Sequence, residues 1–148
     1  MHDVSGDWIA LTKPNAIPYL AKLDAPNKIM AELPNSSTWI SIFANGDVVH
    51  VFARTGWHNN EGPMKYLVYD FTKTNSQPVK ETNITWARCT LDMDPETGFA
   101  VVNDNNNFWG RTWLLNLNTG KRKWISVADW TLILNKDVAQ KWIALTKP

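Results

Sequence analysis

Two stretches of the chain hold the side chains best suited to gripping a ligand. "RTGWHNNEGPM" (residues 54–64) and "NDNNNFWGR" (residues 103–111) are rich in Asn, and each carries a Trp together with an Arg. Asn donates and accepts hydrogen bonds, and Trp offers a flat apolar wall. That combination suits a sugar or another polar ring. The candidate binding residues are Arg54, Trp57, His58, Asn59, Asn60, Asn105, Asn106, Trp109 and Arg111. No residue is assigned a catalytic role, and no metal or cofactor is expected.

Other reactive side chains read as structural. His2, His50 and His58 show no metal-ligand spacing and no neighbouring Asp pair. In "VVHVF", His50 shares a strand face with Val48 and Phe52, the pattern of a hydrogen-bonded strand histidine. Cys89 sits in the strand-like "ARCTL" and reads as a buried thiol. Asp92 and Asp94, in "DMDPETG", have the oxygen chemistry for calcium. Asp before Pro-x-x-Gly is also a turn signal, and the turn is the reading adopted. Neither a nucleophile elbow nor a Gly-rich phosphate loop is present.

The bulk numbers narrow the partners. The chain has 148 residues, 44% of them hydrophobic and 20% charged, which fits a single globular domain. A net charge of +1 gives no electrostatic reason to expect nucleic acid or an anionic membrane. Apolar runs fall well short of the roughly 18 residues a membrane span needs. No basic region followed by an apolar stretch follows Met1, so no uncleaved signal peptide is expected. A soluble protein is the expectation, with its compartment unassigned. One cysteine excludes an internal disulfide. Nine tryptophans supply both packing and stacking surfaces.

The elements that must position these residues are strands. "VVHVFA", "KYLVYDF", "FAVV", "TWLLNL" and "WTLIL" are short, rich in β-branched and aromatic residues, and bounded by turn clusters such as "ANGD", "DPETG" and "LNTG". Pro18 and Pro26 break the one helix-like stretch into two strands. The fold class is all-β. "HDVSGDWIALTKP" (residues 2–14) recurs as "KDVAQKWIALTKP" (residues 136–148), with nine of thirteen positions identical and Trp142 lying 134 residues after Trp8. Aligning Gly6, Gly46, Gly98 and Gln140 gives spacings of 40, 52 and 42, so the recurrence is three repeats long. The repeats span residues 7–35, 38–82 and 85–127, with 129–148 a partial repeat duplicating 2–14, all within one domain, 1–148. The two middle repeats parse into four strands each. The remaining unit takes "WTLIL" as its first strand, either copy of the duplicated strand as its second, and "PYLAKLD" and "KIMAEL" as its third and fourth.

"LDMDPETGFAVVND…TWLLNLNTGKRKWI" resembles a blade of the β-propeller repeat proteins, and "ISIFANGDVVHVFARTG…KYLVYDFTKTNSQPV" resembles a second. The resemblance implies about three four-stranded blades per chain. Known rings need about four to eight blades, so closure would come from a homo-oligomer, most simply a dimer with six. The alternative architecture is a β-trefoil, closed within one chain. The expected function is non-enzymatic and lectin-like, with glycans recognised by the Trp- and Asn-rich loops. The alternatives are a structural module linking subunits by strand exchange, and a sialidase-like glycoside hydrolase. The last rests on "GRTW" (residues 110–113), which is similar to the end of an Asp-box but has Phe108 at the Asp position.

Overall fold

The computed structural model describes residues 2–14, 17–55, 64–73, 76–104, 111–125, 131–132 and 145–146. All regular structure among them is β, and no helix is long and apolar enough to cross a membrane. The strands form three four-stranded antiparallel sheets, each with its strands in chain order, and one short hairpin. None of the sheets closes into a barrel. The first sheet holds β1 (Asp3–Ser5), β2 (Trp8–Leu11), β3 (Tyr19–Lys22) and β4 (Ala31–Glu32). The second holds β5 (Ser37–Asn45), β6 (Val48–Thr55), β7 (Met64–Asp70) and β8 (Lys80–Ile84). The third holds β9 (Ala87–Asp94), β10 (Phe99–Asp104), β11 (Thr112–Asn116) and β12 (Arg122–Ile125). In the hairpin, β13 (Thr131–Leu132) pairs with β14 (Leu145–Thr146).

Each first-to-second-strand turn carries an aligned glycine. Gly6, Gly46 and Gly98 have φ of +55°, +58° and +78°, the left-handed region that a side chain makes costly. This common turn is why the repeats align on glycine. It also folds Asp3–Ser5 back on Trp8–Leu11, with Ser5 opposite Trp8. The first-strand position of the first sheet is therefore filled from within the same segment, where the sequence reading placed "WTLIL".

The sheets stack through alternating faces. On the second sheet, Ile40, Ile42, Val49, Val51, Leu67 and Tyr69 point one way and pack against Trp8, Ala10 and Leu20 of the first. Phe43, Phe52, Met64, Tyr66 and Val68 point the other way and pack against Ala87, Met93, Ala100, Val102 and Leu115 of the third. A sheet covered on both faces needs nearly continuous apolar strands, which is what "VVHVFA" and "KYLVYDF" supply.

Trp8 ties the first two sheets together. It is fully buried. Its ring stacks on Phe71 at 4.5 Å, and its Nε1–H donates to the Gly46 carbonyl at 3.0 Å. Lys22 lies 4.8 Å above the ring and pairs with Asp47 at 2.8 Å. We expect Trp8→Ala to cost about 3–5 kcal/mol in urea unfolding, from the lost burial and the cavity left behind. Trp8→Phe, which keeps a ring but loses the indole donor, should cost clearly less. Equal losses would mean that the hydrogen bond, not the packing, fastens the sheets.

Candidate functional site

The first strands of the three sheets run side by side, and side chains of β1 join it to β5. The Asp3 carboxylate accepts from the Ser41 hydroxyl at 3.0 Å and from the Ile42 N–H at 2.8 Å. The Ser5 hydroxyl oxygen accepts from the Ala44 N–H at 2.9 Å. These bonds satisfy donors of β5 that face away from its partner β6 and would otherwise be left unpaired as the sheets stack.

A cleft of about 290 Å³ opens where β1, β5 and β9 meet, lined by His2, Asp3, Trp39, Ile40, Ser41, Cys89 and Thr90. Bulges on two strands lie beside it, and β9 has a further one at Leu91. On β5 the register passes over Thr38, and on β9 it passes over Arg88. An extra residue twists the strand and re-aims its neighbours, here Trp39 and Cys89. Trp39 is half-buried and gives the cleft its aromatic wall. Thr90 is buried, and its hydroxyl has no hydrogen-bond partner among the described residues. Burial pushes the Cys89 thiol up, against the opposing pull of Arg88 and Arg54, so the group stands as a thiol at neutral pH. Burial pulls His2 down, so its ring is neutral there, and it shares a short hydrogen bond with Thr12. The cleft therefore offers one aromatic face, one carboxylate and several neutral polar groups.

Of the nine binding residues expected from sequence, Arg54 and Arg111 are described, and the structure shows no contact between them. Arg54 lies near the end of β6 opposite Trp39, with its Nε and Nη1 buried and without partners among the described residues. Arg111 precedes β11. Its N–H donates to Asp104 at 2.9 Å, and its guanidinium lies 5.0 Å from the Trp124 ring. Trp57, His58, Asn59, Asn60, Asn105, Asn106 and Trp109 lie outside the described residues. The chain leaves β6 at Thr55, opposite Ser37, at the end of the second sheet where Trp39 sits.

The cleft residues Asp3, Ser41 and Thr90 were not singled out from sequence. One signal was there: Asp3 recurs as Asp137 in the duplicated segment, although four neighbouring positions differ. Asp94 belongs to a turn, accepting from the Glu96 N–H at 3.0 Å and the Thr97 hydroxyl at 2.6 Å. Among the described residues no group of His, Cys, Asp and Glu could hold a metal ion. A scan against family models and searches of curated proteins and of solved structures found no match.

His50 is the strand histidine its pattern indicates. It is buried, its Nδ1 lies 2.8 Å from the Tyr66 hydroxyl, and burial pulls its pKa down to about 4. The unfolded chain takes up a proton near the ordinary value of 6.5, which the folded chain refuses until about pH 4. Between those values the unfolded state binds more protons, so stability is full above pH 6.5 and falls as pH drops towards 4. The loss is on the order of 3 kcal/mol. Urea midpoints measured from pH 7 to 4.5 should fall more steeply for the wild type than for His50→Gln. Parallel slopes would remove His50 as the cause.

Proposed function

We propose that the chain is a propeller-type, non-enzymatic binding protein with lectin-like recognition of glycans. The observation that carries this reading is the convergence of Trp39, Asp3, Ser41 and Thr90 on one cleft from the first strands of three repeats. A sugar ring presents an apolar face to an aromatic side chain and hydroxyls to its polar neighbours. A volume of about 290 Å³ is at the small end for ligand pockets and has room for one such ring. Meander order within each sheet and face-to-face stacking favour propeller blades over a β-trefoil, which requires a closed barrel. An array of neutral and acidic glycans tests the reading. Binding should be found, and Trp39→Ala should weaken it by about 1 kcal/mol or more. A silent array, or unchanged binding by a folded Trp39→Ala, would overturn it.

A second reading, subunit linkage by strand exchange, is favoured by the two copies of the duplicated segment. The N-terminal copy sits in the first sheet, whereas Leu145 and Thr146 of the other copy pair with Leu132 and Thr131. Ser5 and Gly6, which fit β1 against β5, are replaced by Ala139 and Gln140 in the second copy. The copies are thus unequal competitors for one seat, and strand exchange would seat the second on another chain. Light scattering should give the mass of a dimer, a ring of six blades, and deletion of residues 136–148 should give a monomer. A compact full-length monomer would sink the two-chain ring.

A further inference from the structure

Beside the cleft, whose one carboxylate is that of Asp3, two positive charges lie close together with no ion-pair partner among the described residues. Arg54 comes from the end of β6 and Arg88 from the bulge of β9, two strands that pack on each other across the second and third sheets. They are close enough for the Arg88 charge to oppose that of Arg54, although burial is the larger cause of the lowered Arg54 pKa. Arg stays ionised in proteins, so the pair carries two charges at any working pH.

Neither guanidinium is in an ion pair among the described residues, where the pairs are Lys22 with Asp47 and Lys65 with Glu81. Arg54 Nε and Nη1 are buried donors with no acceptor among the described residues. Leaving such donors unmet is costly, and setting a second cation beside them raises the cost. Elsewhere in the third sheet, guanidiniums are accommodated on aromatic rings. Arg122 lies 4.1 Å from the Trp86 ring and 4.3 Å from that of Trp113. Among the described residues no such contact is seen for Arg54 or Arg88. A second unmet group points to the same place: the Thr90 hydroxyl, on a buried residue of the cleft wall, two positions after Arg88.

We propose that Arg54 and Arg88 anchor an oxyanion carried by the ligand of the cleft, with Thr90 as a further donor. The chemical class is an acidic sugar, with a ring that lies on Trp39 and a carboxylate or phosphate that meets the two guanidiniums. A planar guanidinium matches either group with paired N–H donors. The proposal rests on the glycan reading of the cleft and adds the charge of the ligand and Arg88 as a new site residue.

The test is titration of the intact protein with four probes: glucuronate, glucose 6-phosphate, inorganic phosphate and glucose. Binding is followed by tryptophan fluorescence and by calorimetry. We expect glucuronate or glucose 6-phosphate to bind at least tenfold more tightly than glucose, and whichever binds identifies the anion. Arg54→Gln and Arg88→Gln should each weaken that probe by about tenfold to a hundredfold and leave glucose unchanged. Removing an unpaired charge should leave thermal stability equal or higher, so loss of binding with an intact melt separates anchoring from folding. Arg54→Lys, which keeps the charge but loses the fork, should retain part of the affinity. Equal affinity for charged and neutral sugars, or no effect of either Gln variant, would overturn the anion anchor while sparing the glycan cleft. Binding of inorganic phosphate through both arginines with no gain from a sugar ring would keep the anchor and remove the glycan reading. No binding of any anion would overturn the anchor.

Discussion

The second sheet is apolar on both faces, and the rest of the molecule follows from that. Ile42, Val49 and Val51 are fully buried on one side, and Phe52 and Met64 are fully buried on the other. Exposing either face would forfeit roughly 1.5–3 kcal/mol for each large side chain. Such a sheet cannot stand as an outer layer. It needs one sheet on each side, and the first and third sheets meet that need with Trp8 and Leu20 on one side and Val102 and Leu115 on the other. The outer sheets have no such strict demand. Strand β12 leaves Trp124 half exposed, and the far face of the first sheet buries only a small cluster of Ile9, Tyr19 and Ala21.

The stacking also makes the cleft. Three sheets packed face to face bring their first strands into a row, and the ends of those strands are where packing is least complete. The bulges at Thr38 and Arg88 lie beside that gap. Asp3 keeps β1 from sliding away by bonding to β5 through its side chain, so a three-residue strand suffices to hold one wall. The site is thus built of strand residues held by the core, near the end of the second sheet where β6 finishes at Thr55.

Most of the strand framework was readable because each central strand satisfies two cores at once. An unbroken apolar run such as "KYLVYDF" has few other uses, and the glycine turns mark its partners. The class of fold and the four-strand parsing of residues 38–82 and 85–127 come from those local signals. The short β1 was missed because Asp3, Val4 and Ser5 form no apolar run; they are held in place by side-chain bonds to a strand 38 or 39 residues away. The cleft was illegible for the same reason. Arg54 was noticed for its loop and for Trp57, whereas its neighbours in space are Trp39, Arg88 and Cys89, brought together only when sheets two and three pack. Thr90 carries no sequence signal, since a threonine in a strand is ordinary until its hydroxyl is found buried and unmet.

The chain-order pairing of strands has a kinetic side. Every ladder in the three large sheets joins consecutive strands, so no strand waits for a distant segment before it can pair. Loop-closure entropy is paid in small instalments, a hairpin at a time, and contact order stays low for an all-β protein. The sheets then meet as neighbours in a line, the first on the second and the second on the third, through side chains alone. Folding can start in whichever sheet forms first and spread to the next, as in other proteins whose repeats contact only their neighbours. The second sheet has the longest strands and a neighbour on each side, which makes it the natural nucleus. The outer sheets, each steadied on one face, are the first to open, and the cleft shared by β1, β5 and β9 opens with them.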